Sequence, residues 1–163
     1  MTPEFIEAVL ADRRDEAAAL VGAALPAAFP RVGERRFLEL RLRQMREDDR
    51  FLEWCPYVVV LGEHMIGHAG YHGPPGKNST QNPEAVEFGY TIEPDFRGRG
   101  FATEAAARLI REAEGRGITH FVLSCAPDND PSLAIIRKFG FVHTGEHVDD
   151  EDGLEYVFEL ESR

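Results

Sequence analysis

The stretch from Glu87 to Arg111, EFGYTIEPDFRGRGFATEAAARLIR, decides how this chain is read. Phe88, Tyr90 and Ile92 alternate with Glu87, Gly89 and Thr91, the period of a strand. Pro94 and Asp95 end that strand, because proline cannot donate to a sheet ladder. Arg97-Gly98-Arg99-Gly100-Phe101-Ala102 comes next, and Thr103 to Arg116 reads as a helix rich in Ala, Leu, Glu and Arg. A strand, a glycine-rich turn and a helix start place several backbone N–H groups at the positive end of a helix dipole. That arrangement binds anions, phosphate above all. The competing reading is a turn that needs glycine only for its dihedrals. No Gly-Lys-Ser/Thr follows, as a Walker loop requires, and the glycines are not spaced as in a dinucleotide fingerprint.

Working outward, the 163 residues suffice for one domain with a real core, and one domain over 1–163 is the expectation. Hydrophobic residues at 43% and charged residues at 29% are ordinary for a soluble globular protein. No apolar run approaches the roughly 20 residues that cross a bilayer. Met1-Thr2-Pro3-Glu4 lacks the basic-then-apolar order of a signal peptide, so a cytoplasmic location is expected. Cys55 and Cys125 have no metal-ligand spacing and are expected reduced, in or near the core. The net charge of −11, from 29 acidic and 18 basic residues, opposes nucleic acid and anionic membranes as partners. It suits a cationic substrate such as an amine, and equally a solubility role.

In chain order, residues 3–21 read as an amphipathic helix that 11–15 can break in two, and 26–33 as a loop. A second helix lies between Arg35 and Phe51, with Leu38, Leu42 and Met45 on one face. Tyr57–Leu61 and Met65–Tyr71 form a hairpin across Gly62-Glu63-His64. After the central strand and helix come a strand over Thr119–Ala126 and a helix to about Phe139. Asp130 is its expected N-cap and Pro131 its first residue. Strands over Phe141–His147 and Leu154–Leu160 close the chain, joined across Asp149-Asp150-Glu151-Asp152-Gly153. The order α-α-β-β-β-α-β-α-β-β predicts an α/β fold, a mixed sheet with helices on both faces.

Arg97-x-x-Gly100-x-Ala102 resembles the acetyl-CoA pyrophosphate loop of the GNAT N-acetyltransferases. Asn129-x-x-Ser132-x5-Lys138-x-Gly140-Phe141, with Gly145-Glu146 beyond, looks like the other half of that cofactor site in its RimJ/RimL-like branch. Val86-Glu87-Phe88-Gly89-Tyr90 and Ile66-Gly67-His68-Ala69-Gly70 fit the same branch. The likeness covers about residues 57–160. One departure stands out: the family usually opens on a strand, and this chain opens on a helix.

The resemblance implies a GNAT-like single domain. Its central sheet would be mostly antiparallel, with a parallel pair, Glu87–Ile92 and Thr119–Ala126, splayed at the cofactor. The implied activity is that of an acyltransferase, passing acetyl from acetyl-CoA directly to a primary amine of a small molecule or a protein N-terminus. The backbone of Tyr90, Thr91 and Ile92 would pair with pantetheine as an added strand does. The amides of Gly98, Arg99, Gly100, Phe101, Ala102 and Thr103 would hold the pyrophosphate, with Arg97 and Arg99 adding charge. Arg99 is open to a second reading as solvated. Asn129 and Lys138 belong to the cofactor set, Asn129 alternatively as a turn residue. Ser132 would give a hydrogen bond or proton to the leaving sulfur, or serve only as a helix-start hydroxyl.

Glu87 is the chosen base for the amine proton, alternatively a salt-bridging glutamate. His68 and His72, four apart on a strand, would line the acceptor pocket. A metal held by His64, His68 and His72 is not expected, since no acid or cysteine completes the set. The oligomeric state would be monomer or homodimer. The alternative function is a CoA-binding sensor or partner-binding domain that keeps the fold without turnover.

Overall fold

The computed structural model describes residues 1–149 and 153–162. The elements are α1 (Pro3–Leu10), α2 (Arg14–Val21), α3 (Val32–Glu47), α4 (Arg50–Glu53), β1 (Pro56–Leu61), β2 (His64–Tyr71) and β3 (Ala85–Ile92). A 3-10 turn (Pro94–Phe96) leads to α5 (Phe101–Gly115), β4 (His120–Cys125), α6 (Asp130–Phe139), β5 (Val142–Asp149) and β6 (Gly153–Glu161). The strands form one six-stranded sheet in the order β1-β2-β3-β4-β6-β5. The pairs β1–β2, β4–β6 and β5–β6 are antiparallel, and β3–β4 is parallel. The mixed sheet is the one the element order predicts, and the parallel pair is the one the resemblance implies.

The chain divides into two compact units, one of residues 1–70 and 90–105, the other of 71–89 and 106–163. In the first, Thr2 caps α1 by accepting the Phe5 N–H at 3.3 Å, and Pro3 takes the first turn, where no N–H is needed. Phe5, Ile6, Ala8 and Val9 turn one face inward, onto a core shared with Ala17, Phe29, Leu38, Leu42, Met45, Phe51 and Met65. Each large apolar side chain buried this way contributes about 1.5–3 kcal/mol against exposure. The break in the opening helix falls at Ala11–Arg13, where Asp12 turns left-handed at φ 60°. The second helix also ends earlier than expected. Asp48 leaves the helical region, and its carboxylate accepts the Arg50 N–H at 3.0 Å, starting the separate short α4.

In the second unit Val122 and Val157 pack with Ala85, and Phe88 sets its ring edge-on to Phe121 and Phe141 at 6.4 and 6.3 Å. The Tyr71 hydroxyl donates to the Leu109 carbonyl at 2.7 Å. The hairpin β5–β6 pairs from Val142↔Glu159 to Asp149↔Gly153. The expected connection through Asp150, Glu151 and Asp152 lies outside the described residues. Both cysteines are buried and free. Burial, then the nearby Glu155 charge, push the Cys125 thiol above its ordinary value.

One local expectation is corrected. Asn129, not Asp130, caps α6: its Oδ1 accepts the Ser132 N–H at 3.2 Å, and Asp130 is already helical. Pro131 follows in the first turn, as expected. Both residues suit an N-cap, so the choice turns on which one holds a non-helical backbone; Asn129 does, at φ −82° and ψ 69°.

Candidate active site

The glycine turn sits between the 3-10 turn and α5. Gly98 and Gly100 take φ of 71° and 87°, a region that costs a side-chain-bearing residue, and a Cβ on either would meet nothing within 4 Å. Residues 97–100 are exposed, and α5 opens at Phe101, two residues before the expected Thr103. The Glu104 N–H donates to Gly100 O at 3.0 Å, so the amides of Phe101, Ala102 and Thr103 come before the helix's own hydrogen-bond ladder. An open, exposed cradle of backbone donors at a helix start fits a pyrophosphate.

The two arginines of the turn are held locally. Arg97 Nε donates to Ile92 O at 2.8 Å, tying the turn back to the end of β3. The Arg99 guanidinium lies over the Phe101 and Phe96 rings, 5.1 and 5.7 Å from their centres. Upstream, the Glu93 N–H donates to Ile66 O at 2.8 Å. Tyr90 and Thr91, the expected pantetheine rail, are half-buried, and Ile92 is buried.

Glu87 is buried, at 5% exposure, in the part of β3 that pairs in parallel with β4. Its Oε1 accepts the Ser124 hydroxyl at 2.7 Å, and its Oε2 accepts the Ser79 N–H at 2.6 Å. His72 Nδ1 stands 3.7 Å from Oε1. Sequence reasoning missed Ser79 and Ser124. Ser124 follows Val122 by two residues along β4 and so shares its face, and Ser79 lies in a loop whose shape its Asn78 side chain sets. Asn78 Nδ2 donates to Asn82 O and Ala85 O at 2.8 and 2.9 Å, folding the loop so that the next amide faces Glu87.

The two candidate histidines have different partners. His68 is mostly buried, stacked on Phe37 with centroids 5.6 Å apart, its Nε2 3.6 Å from Glu34 Oε1. His72 lies one residue past the end of β2, although its N–H still donates to Glu87 O at 2.8 Å. Ser132 is half-buried in the first turn of α6, while Asn129 and Lys138 are exposed. Among the described residues no group of three His, Cys, Asp or Glu side chains could hold a metal. Among them, too, no helix is long and apolar enough to cross a membrane.

Residues 3–142 match the acetyltransferase (GNAT) domain family, and the chain belongs to it. Among curated proteins it resembles the uncharacterised N-acetyltransferase YnaD of Bacillus subtilis, 23% identical over 57% of this chain and 52% of that protein. It also resembles acetyltransferase plu1384 of Photorhabdus laumondii, 28% identical over 64% of each. The chain thus spans from about half to under two thirds of the length of these relatives. Among solved structures, the ribosomal-protein-alanine N-acetyltransferase of Brucella melitensis shares the fold. Its TM-score is 0.64 at 20% identity, covering 99% of this chain and 96% of that one. RimL, a ribosomal L7/L12 α-N-protein acetyltransferase solved with coenzyme A, gives 0.65 at 17% identity over 99% and 91%. Microcin C7 self-immunity acetyltransferase MccE, solved with acetyl-CoA and AMP, gives 0.62 at 17% over 98% and 88%.

Proposed function

We propose that residues 1–163 act as one acetyl-CoA-dependent N-acetyltransferase domain, transferring acetyl to a primary amine of a small molecule or a protein N-terminus. One observation carries this reading. The exposed turn with left-handed Gly98 and Gly100 follows β3 and the 3-10 turn and opens onto the α5 N-terminus, in a chain of the GNAT family. The amides of Gly98–Thr103 take the pyrophosphate. The backbone of Tyr90–Ile92 takes the pantetheine, and Lys138 adds charge to the cofactor set. Arg97 and Arg99 contribute field more than direct contact, since one guanidinium ties the loop to Ile92 and the other covers Phe96 and Phe101. Acetyl-CoA supplies the activated acyl group.

Ser132 donates to the sulfur as it departs with the bonding pair. Asn129 acts mainly by capping α6 and so placing Ser132. Glu87 belongs to the proton path of the acceptor amine. Burial and two designed donors, Ser79 and Ser124, support that role over a surface salt bridge. The net charge of −11 suits a cationic acceptor handled away from nucleic acid and membranes, in the cytoplasm, by a monomer or homodimer.

The test is thiol release from acetyl-CoA across a panel of amines, including N-terminal peptides of ribosomal proteins, with product masses read directly. Acetylated product with at least one amine is expected. Acetyl-CoA binding without release for any amine would favour a sensor or partner-binding domain. No rise in Tm with acetyl-CoA would sink both.

A further inference from the structure

Within the second unit, the buried Glu87 carboxylate needs donors where water would otherwise stand. They reach it from two elements, one to each oxygen. Ser124, on the neighbouring strand β4, gives its hydroxyl to Oε1 at 2.7 Å. Oε2 takes a main-chain donor, the Ser79 N–H at 2.6 Å, and only the path of the loop can aim such a group. Asn78 sets that path. Its Oδ1 accepts the Thr80 N–H, the Thr80 hydroxyl and the Asn82 N–H at 3.2, 2.8 and 3.1 Å. Its Nδ2 donates to Asn82 O and Ala85 O at 2.8 and 2.9 Å. Both N–H donors and the acceptor oxygen of the amide are therefore spent on the chain between Asn78 and β3. Ala85 opens β3, so the loop is fastened two residues before Glu87. Aspartate would lack the donors, and glutamine is a methylene longer.

We propose that Asn78 is a positioning residue for catalysis. By folding residues 78–85 it aims the Ser79 amide at Oε2. Together with Ser124 it thereby fixes the plane of the Glu87 carboxylate in the proton path of the acceptor amine. This assignment rests on the acetyltransferase reading above. One donor on each oxygen stops the group turning and leaves acceptor capacity on both. Losing either donor frees the carboxylate to swing, and a misplacement of about 1 Å at a reacting group costs on the order of 10²-fold in rate.

The experiment uses the whole chain, acetyl-CoA and the best amine of the panel. Asn78→Ala should lower kcat by about 10–10²-fold and leave acetyl-CoA Kd within about twofold of wild type. Ser124→Ala, which removes the other donor and spares the loop, should lower kcat by about tenfold. In a Glu87→Gln background, Asn78→Ala should cost less than about twofold more, because the two residues act through one group. Independently of activity, ¹H–¹⁵N NMR of the free protein should find the Ser79 amide proton far downfield. Both Glu87→Gln and Asn78→Ala should move it upfield. A wild-type kcat in Asn78→Ala overturns the role of Asn78, as does a loss of the same size with and without Glu87. A Ser79 amide unmoved by Glu87→Gln overturns the arrangement itself. Failure of the wild type to acetylate any amine overturns the acetyltransferase reading and this role together, and only that failure shows in the unmodified protein.

Discussion

Arg31 holds Glu93 by both carboxylate oxygens, Nη1 to Oε1 at 2.9 Å and Nη2 to Oε2 at 2.5 Å. Glu93 is buried at 9% exposure and sits between the end of β3 and the 3-10 turn that leads into the glycine cradle. The pair thus fastens the stem of the proposed phosphate loop to the start of α3. Donation to the Glu93 carboxylate is the main reason the pKa of the Arg31 guanidinium is raised above its ordinary value.

Removing Arg31 leaves a buried carboxylate without its main cation. The Arg31 side chain is 41% exposed, so the loss is well below that of a fully buried pair: about 1–2 kcal/mol for Arg31→Met. For a chain of this size that is roughly a 2–8 °C fall in Tm. Acetyl-CoA affinity should fall with it, because the loop stem loosens. Arg31→Met with Glu93→Gln should recover part of the Tm. A single variant as stable as wild type would mean that the pair is solvated and holds nothing.

Gly100 separates the loop's conformation from its packing. At φ 87°, with open space where a Cβ would stand, Gly100→Ala costs only backbone strain of about 1–2 kcal/mol. If phosphate binding needs this conformation, acetyl-CoA Kd should rise roughly 5–30-fold. Gly100→Asn should lose less, since asparagine tolerates the left-handed region. Calorimetric titration of all three proteins decides it; equal affinities would remove the turn from the donor site.

The strand, turn and helix around the cradle were legible because proline, paired glycines and helix formers each act over a few residues. The identity of the buried acid was legible too, since Glu87 is the acid in the apolar middle of its strand. What surrounds Glu87 was not. Ser79 reaches it through a loop folded by Asn78, and Ser124 by the pairing of β3 with β4, neither of which leaves a local pattern. The spacing of His72 from His68 is visible in the sequence, and its proximity to Glu87 is not. The N-cap of α6 was misplaced by one residue, because adjacent Asn129 and Asp130 offer the same chemistry and only backbone geometry chooses.

Tyr71 offers a stability probe of the second unit. It is fully buried, and its hydroxyl donates to Leu109 O at 2.7 Å within α5. Tyr71→Phe keeps the ring and removes this hydrogen bond, while the Leu109 carbonyl stays in the α5 ladder, so the cost is about 0.5–1.5 kcal/mol, or roughly 1–6 °C in Tm. A thermal scan that finds no loss would show that water replaces the hydroxyl.

Glu34 predicts how the first unit responds to acid. Burial pushes its carboxyl up, but hydrogen bonding with His68, the Arg31 N–H at 2.7 Å, and the charges of His68 and Arg31 outweigh it and hold the group below its ordinary 4.5. The folded form therefore binds this proton less readily than the unfolded chain. Its stabilisation is fully present above about pH 4.5 and drains away as pH falls through the lower folded value. Glu34→Gln should be less stable than wild type at pH 7, and the gap in Tm should close below about pH 4.5. Parallel thermal scans of the two proteins between about pH 3 and 7 measure this directly. A gap that stays constant across that range would assign the loss to packing and the capping hydrogen bond, not to the charge.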